Sequence, residues 1–291
     1  MEAELDSVSQ LDERQFALSV RRLADSLSYG SDNSPFLGSG IEYVQSRLYQ
    51  PGDPIKSMDW RVTARTGKAH VKEYEAPKRM PVYLLVDTSA SMCVSSQKIS
   101  KYGWAVQLAG GLALAAINRL SPVGLVACGE PVCGEQRVQL RPSLSRQQIM
   151  QWLHRLRKYR LDERTTLADS LRFVESMAAN RSLIVVLSDM HDPRALCVLK
   201  PLAEKHECVV LQLVDPAERG RMRAGFLRAQ EAETGVAFTT TGRARWMDDS
   251  SLGHELKSGQ IDHMRLQTDQ PFVPHLRAFL RRRDSRARMV R

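Results

Sequence analysis

The stretch at residues 81–92, PVYLLVDTSASM, decides the fold class of this chain. Its apolar part, VYLLV, is continuous, which is typical of a strand that is covered on both faces. The run ends abruptly at Asp87, and Ser89 and Ser91 follow at alternate positions. Small oxygen-bearing side chains therefore lie on one side of a tight loop at the carboxyl end of a strand. Open α/β sheets usually place their binding sites there.

Apolar strands alternate with helical patterns along the central part of the chain. Strand-like runs occur at residues 82–86, 123–128, 136–141, 183–187 and 208–214. Helical periodicity lies between them, at residues 99–120, 149–156, 167–178 and 193–205. Pro201 is expected to kink the last of these helices or to end it early. The alternation predicts an α/β fold with a three-layer, mostly parallel, Rossmann-like sheet.

The same pattern divides the chain into three parts. These are an N-terminal helix with a small strand-rich module, an α/β domain, and a C-terminal extension with a basic tail, at residues 1–78, 79–245 and 246–291. Two or three short strands are expected in the module, with turns at Pro51-Gly52 and Thr66-Gly67. The remaining predicted elements are helices at residues 10–27, 225–233 and 274–283 and a strand at residues 236–240.

The composition is that of a soluble globular protein, with its positive charge concentrated at one end. Of 291 residues, 43% are hydrophobic and 26% are charged, and the formal net charge is +9. Residues 277–291 carry seven arginines and one aspartate. This tail is expected to be a solvated charge run, with an acidic partner, nucleic acid or anionic lipid as alternative ligands. The acidic, polar N-terminus does not resemble a signal peptide, so a cytoplasmic location is expected.

Three of the apolar strands end in an aspartate, at Asp87, Asp189 and Asp215. Because the carboxyl ends of parallel strands meet at one edge of a sheet, these segments are expected to converge. The loop before the helix at Leu167 adds Thr165 and Thr166 at the same edge. Carboxylates and hydroxyls are hard ligands that suit Mg²⁺, Mn²⁺ or Ca²⁺ rather than zinc. Asp215 is expected to end its strand in a turn and not to bind the ion.

This set of residues resembles the metal-ion-dependent adhesion site of the von Willebrand factor A domain, over residues 80–216. The resemblance implies that Ser89, Ser91 and Thr165 are direct or near-direct ligands of Mg²⁺. Asp87 and Asp189 would act largely through water. The resemblance also implies an open coordination position that accepts a carboxylate from a partner protein.

An upstream run, RLYQPGDPIKSMDWRVTARTGKAHVKEYEAP, is similar to the signature of the bacterial domain-of-unknown-function-58 family. The matching elements are Tyr49, Pro51-Gly52-Asp53, Asp59-Trp60, Ala64-Arg65 and Val71-Lys72-Glu73. This resemblance implies that the chain links a MoxR-type AAA+ ATPase to a client protein, and it implies no reaction.

Asp53, Trp60 and Arg65 are candidates for partner binding within this run, although each also has a structural interpretation. Asp53 follows a Pro-Gly turn, and Arg65 is expected to pair with a buried carboxylate. Trp60 is expected to pack the module on the main domain. His191 is a further candidate, because it closely follows Asp189 and would lie near the ion.

Two departures from the von Willebrand pattern concern loops. Asp162-Glu163-Arg164 stands where glycines are frequent, and Met190 follows Asp189 where glycine is frequent. Asp192 is expected to cap the next helix.

The motif content favours binding over catalysis. No nucleophile elbow, zinc-protease, Walker or dinucleotide motif occurs in a plausible context, and no clear general base accompanies the predicted site. We therefore expect a non-enzymatic, metal-dependent protein–protein adaptor. The alternatives are a nucleic-acid-binding protein that uses the arginine tail and a metal-dependent hydrolase.

Overall fold

The computed structural model describes residues 2–4, 42–75, 80–130, 139–219, 226–230, 237–241 and 249–289. The helix expected at residues 10–27 lies outside them. The strands are β1 (Glu2–Glu4), β2 (Glu42–Leu48), β3 (His70–Glu75), β4 (Val82–Val86), β5 (Val123–Ala127), β6 (Gln139–Ser143), β7 (Lys158–Arg160), β8 (Leu183–Ser188), β9 (Glu207–Val214), β10 (Phe226–Gln230), β11 (Ala237–Thr241) and β12 (Asp262–Gln267). The helices are α1 (Trp60–Thr66), α2 (Ala90–Cys93), α3 (Lys101–Asn118), α4 (Arg146–Arg155), α5 (Leu167–Met177), α6 (Pro193–Lys205), α7 (Pro216–Arg219), α8 (Asp249–Ser258) and α9 (Val273–Met289). None of the described helices has the length and hydropathy that a membrane span requires.

Six strands form the central sheet, in the spatial order β12-β9-β8-β4-β5-β6. β4 pairs in parallel with β5 and β8, and β9 pairs in parallel with β8 and β12. β6, at one edge, runs antiparallel to β5. The expectation of a mostly parallel sheet is confirmed, as is the edge position of the strand predicted at residues 136–141. The sequence does not predict the opposite edge strand, β12, because DHMRLQ lacks a continuous apolar run.

The two faces of β4 explain the layers of the structure. Val82, Leu84 and Val86 pack in one apolar cluster, whereas Tyr83 and Leu85 pack in another. The first cluster also contains buried side chains of α3, α4 and α9, and the second contains those of α5, α6 and α8. Helices therefore cover both faces of the sheet, as expected for a strand whose residues are all buried.

Two local features differ from the sequence-based expectations. α6 continues through Pro201 to Lys205, so of the two effects expected of this proline the early helix end does not occur. Leu199 and Leu202 on either side of the proline are fully buried, so packing offsets the hydrogen bond that proline cannot donate. In place of the helix expected at residues 225–233, the described residues 226–230 form β10, which pairs antiparallel with β11. Pairing between two strands there overrides the helical preference of the local sequence.

The upstream module contains an antiparallel strand pair and a helix, instead of strands alone. β2 pairs with β3, and α1 begins at Trp60. The carboxylate of Asp59 accepts hydrogen bonds from backbone N–H groups in the first turn of α1, and Ser46 Oγ of β2 donates to it at 2.6 Å. Gly67 ends the helix with a φ of 70°, so the turn expected there is confirmed as a helix terminus.

Ion pairs as well as apolar contacts attach α9 to the sheet. Leu276 is fully buried in the first apolar cluster. Arg283 Nε donates to the Asp262 carboxylate of β12 at 2.8 Å, and the same guanidinium contacts the Glu207 carboxylate of β9. At this position the arginine-rich segment is therefore part of the folded structure and not a solvated charge run.

Replacing Arg283 with methionine is expected to destabilise the protein by about 2 kcal/mol, because two carboxylates lose their shared donor. Arg282 is adjacent and exposed. The control variant Arg282→Met removes the same charge and should change the free energy of unfolding by less than about 0.5 kcal/mol. Urea unfolding followed by circular dichroism measures both values. Equal destabilisation by the two variants would contradict a structural role of the ion pairs.

Candidate functional site

The loops after β4 and β8 form the candidate site at the carboxyl edge of the sheet. Asp87 directly follows β4, and Asp189 directly follows β8. Because these strands pair in parallel and in register, their ends coincide, and the Asp87 N–H donates to the Leu187 carbonyl at 2.9 Å. Both aspartates are almost completely buried.

The structure brings the predicted metal ligands together. The hydroxyl oxygens of Ser89 and Ser91 are 3.0 Å apart, and Ser91 Oγ donates to Asp189 Oδ2 at 2.9 Å. Thr165 Oγ1 donates to Asp87 Oδ2 at 3.5 Å. We refer to this group as the oxygen cluster; its members are Asp87, Ser89, Ser91, Thr165 and Asp189.

The oxygens of the cluster are linked by hydrogen bonds, at separations close to those between neighbouring ligands of a hard divalent cation. Mg²⁺ takes six oxygens at about 2.0–2.1 Å in octahedral geometry, so neighbouring ligand oxygens lie about 2.9 Å apart. The Ser89–Ser91 and Ser91–Asp189 oxygen separations are 3.0 and 2.9 Å. The described residues contain no group of three or more His, Cys, Asp or Glu side chains that could hold a metal ion. A cation in the cluster would therefore depend on its hydroxyl ligands.

The loop that carries Thr165 is attached to the loop after β4. The Ala90 N–H donates to the Glu163 carbonyl at 2.8 Å, and the Thr88 hydroxyl donates to the Glu163 carboxyl group. Burial raises the pKa of the Glu163 carboxyl group to about 7. A Cβ atom on Gly129 would lie 1.4 Å from Glu163 Oε1. Gly129, on the neighbouring loop, therefore leaves the space that the Glu163 side chain occupies. Glu163 is one of the residues that stand where the von Willebrand pattern frequently has glycine.

The two buried carboxyl groups of the cluster have different electrostatic surroundings. Burial and the charge of Asp189 raise the pKa of Asp87 to about 7, although the Ser188 hydroxyl donates to it at 2.6 Å. Burial also opposes ionisation of Asp189, but Lys101 and His191 hold the pKa of that carboxyl group below its ordinary value. A cation bound at the cluster would favour the ionised form of both groups.

Lys101 is a residue of this site that sequence reasoning misses. It begins α3, its side chain is 1% exposed, and Nζ donates to Asp189 Oδ2 at 2.9 Å. The same ammonium group contacts the Glu218 carboxylate of α7. The sequence does contain one signal, a lysine in the first turn of a predicted helix. Its charge interacts unfavourably with the helix dipole, which indicates that acidic groups lie nearby to compensate it. That signal does not identify partners so distant in sequence.

The remaining candidates near the site have separate roles. His191 lies at the rim, where its side chain is 36% exposed and Nδ1 is 3.2 Å from Asp189 Oδ2. Asp192 caps α6 through a backbone N–H of the first turn, as expected. Asp215 ends β9 and accepts hydrogen bonds from two serines of the loop before α3, Ser95 and Ser96.

The three candidates in the upstream module lie on elements other than those of the oxygen cluster. The Asp53 carboxylate pairs with both terminal nitrogens of Arg47 at 2.7 Å, and this contact lowers its pKa to about 2. Trp60 is 64% exposed, so the expectation that it packs the module on the main domain is wrong. Arg65 is exposed in the last turn of α1, and no described carboxylate pairs with it.

Sequence comparison finds a match over residues 45–248 to a family described as "Protein of unknown function DUF58". This chain belongs to the DUF58 family. The match spans both the upstream module and the oxygen cluster, so the membership expected from the upstream run is confirmed.

This DUF58 chain is similar to two mycobacterial proteins. "Uncharacterized protein Rv1480" of Mycobacterium tuberculosis (strain ATCC 25618 / H37Rv) and "Uncharacterized protein Mb1516" of Mycobacterium bovis are each 30% identical to it over 228 residues, which cover 77% of this chain and 70% of the relative. Among solved structures, the conserved hypothetical protein BatB from Bacteroides thetaiotaomicron is similar over 71% of this chain and 99% of its own, with 15% identity and a TM-score of 0.46.

The backbone directly after Asp189 is strained. Met190 has a φ of 64°, and this left-handed conformation costs a residue other than glycine about 1–2 kcal/mol. The Met190 side chain is buried in the second apolar cluster. Packing of the side chain therefore offsets the strain of the backbone.

A pair of substitutions separates the backbone strain at Met190 from the packing of its side chain. Met190→Gly and Met190→Ala both remove the packed side chain, so they differ mainly in backbone strain. We expect the glycine variant to be more stable than the alanine variant by about 1 kcal/mol, since glycine adopts positive φ without strain. Gln151, which is exposed on α4, provides the control position. There Gln151→Ala should be more stable than Gln151→Gly by about 1 kcal/mol, because glycine is the poorer helix former. Urea unfolding of all four variants measures the differences. The same order at both positions would contradict the strain at Met190.

Proposed function

We propose that this DUF58 protein is a non-enzymatic adaptor that binds a partner protein through a metal ion. The oxygen cluster would hold Mg²⁺, with Mn²⁺ or Ca²⁺ as substitutes. The bound ion would supply an open coordination position for a carboxylate of the partner. The convergence of serine, threonine and aspartate oxygens at the carboxyl edge of the sheet is the main support. The resemblance of the same residues to a von Willebrand factor A adhesion site favours the same role.

The charges around the cluster favour an acidic ligand. Asp87 and Asp189 are its carboxylates, and the other members contribute neutral hydroxyl groups. These two negative charges balance a divalent ion without exceeding it, so an incoming carboxylate meets no net repulsion at the metal. Lys101 adds a positive charge on the protein side of Asp189, and the Glu218 carboxylate compensates that charge.

The task that a metal ion would give the two carboxylates supports a binding role over hydrolysis. Asp87 accepts hydrogen bonds from the Ser89 N–H and the Ser188 hydroxyl. Asp189 accepts two further hydrogen bonds, from Ser91 and Lys101. A general base must reach a proton of water or substrate in a productive pose. A carboxylate that serves the bound metal ion, directly or through water, is not free to take up that proton.

We propose a MoxR-type AAA+ ATPase and a carboxylate-presenting client as the partners. Support for the ATPase comes only from the resemblance of the upstream run to the DUF58 signature, because members of that family resemble partners of MoxR-type ATPases. Trp60, which is 64% exposed, is a candidate contact on the module. The ATPase and the client could therefore engage different parts of the chain.

Metal binding is tested by calorimetric titration of Mg²⁺ into protein stripped with EDTA. Ser89→Ala is expected to weaken binding by at least about tenfold, because it removes a ligand. Asp87→Ala is expected to abolish it, since a charge is lost as well. The controls are Ser176→Ala and Asp169→Ala, which alter exposed residues of α5. Binding that is equal in all four variants would exclude the oxygen cluster as the metal site.

Adaptor function is tested with the purified MoxR-type ATPase of the same organism and candidate client proteins. We expect a complex in Mg²⁺ that dissociates in EDTA and does not form with Asp87→Ala, because the partner carboxylate then lacks its ligand. Size-exclusion chromatography with light scattering measures complex formation. A complex that is indifferent to EDTA and to Asp87→Ala would rule out a metal bridge.

A further inference from the structure

Lys101 is a buried cation inside the candidate metal centre. Its side chain is 1% exposed, and its place in the first turn of α3 exposes it to the unfavourable end of the helix dipole. A buried ammonium group is tolerated only where acidic partners compensate for the lost hydration. Burial lowers the pKa of Lys101, but the charges of Asp189 and Glu218 raise it further, to a value above the ordinary one.

The Asp189 oxygen that takes part in the cluster is already saturated. Oδ2 accepts hydrogen bonds from Ser91 Oγ and Lys101 Nζ, both at 2.9 Å, and His191 Nδ1 lies 3.2 Å away. A carboxylate oxygen has about two lone-pair sites. A metal ion, or a water molecule bound to it, can therefore use this oxygen only if one of these donors moves away.

Glu218 provides an alternative partner for the lysine. It lies in α7, directly after β9, and one of its oxygens contacts Lys101 Nζ. Its other oxygen accepts a hydrogen bond from the Asp215 N–H at 3.2 Å. This backbone donor holds the carboxylate beside the lysine independently of Asp189.

We propose, on the basis of the metal centre proposed above, that Lys101 is an internal competitor of the metal ion. In the metal-free protein its ammonium group neutralises Asp189. A divalent cation at the oxygen cluster repels that ammonium group, and Glu218 then retains it. Lys101 thereby lowers the affinity of the cluster for metal, and Glu218 restores part of that affinity.

The two residues should therefore have opposite effects when they are replaced. Lys101→Met removes the competing charge and retains much of the side-chain volume, so metal binding becomes tighter. Glu218→Gln retains the shape but removes the alternative negative charge. Lys101 then pairs more strongly with Asp189, so metal binding becomes weaker.

Titration of Mn²⁺ into the EDTA-stripped full chain, with free Mn²⁺ measured by electron paramagnetic resonance, tests this competition. We expect Lys101→Met to lower the Kd on the order of tenfold and Glu218→Gln to raise it about threefold or more. Lys98→Met removes the same charge from an exposed lysine nearby, and its Kd should match that of the wild type. Without metal, Lys101→Met should also unfold at a lower temperature, and Mn²⁺ should raise its Tm more than that of the wild type.

The outcomes separate the competition from the metal centre itself. If Lys101→Met binds Mn²⁺ no more tightly than the wild type, while Asp87→Ala abolishes binding, the metal centre stands and the competition is ruled out. Binding by Lys101→Met but not by the wild type would support the competition, and binding by neither would overturn both. If Lys101→Met does not fold, Glu218→Gln decides, because unchanged or tighter binding there contradicts the competing role.

Discussion

The parallel pairing of β4 with β8 is the constraint on which the rest of the site depends. Strands that run in parallel and in register end at the same edge, so the pairing that builds the sheet also brings Asp87 and Asp189 together. Both carboxyl groups are buried there, and the charge of Asp189 opposes ionisation of Asp87. The surrounding hydroxyls, backbone N–H groups and one ammonium group reduce this electrostatic cost. A divalent cation at the same place would reduce it further, because it carries two charges.

The groups that stabilise these carboxylates come from segments distant in sequence. Lys101 begins α3, Ser188 ends β8, and Thr165 lies in the loop before α5. α3 also packs along the sheet through a series of fully buried residues. The candidate site is therefore continuous with the hydrophobic core, and the helix that supplies its internal cation also supports the fold. This continuity explains how a charged lysine can be held in place without solvent, since the packed helix fixes its position next to its acidic partners.

Local sequence patterns predict most of the central sheet but not its exceptions. Val82–Val86 is recognisable as a doubly covered strand because all of its residues are apolar. β12 is not recognisable, since its alternating polar residues become a strand only by pairing with β9. Pro201 would end an isolated helix, yet the burial of Leu199 and Leu202 carries α6 past it. In each exception, packing or pairing with another element outweighs the local preference.

The sequence by itself determined the types of the oxygen-bearing residues in the cluster, their order along the chain and their place at strand ends. Those properties follow from the local periods of strands and helices and from the oxygen chemistry of Asp, Ser and Thr side chains. Only the tertiary structure decided that Lys101 shares Asp189 with the oxygen cluster and that Glu163 fills the space left by Gly129. These contacts join residues separated by tens of positions, and their geometry depends on how whole helices and loops pack. A local pattern has no means of encoding which distant charge will lie within 3 Å of another.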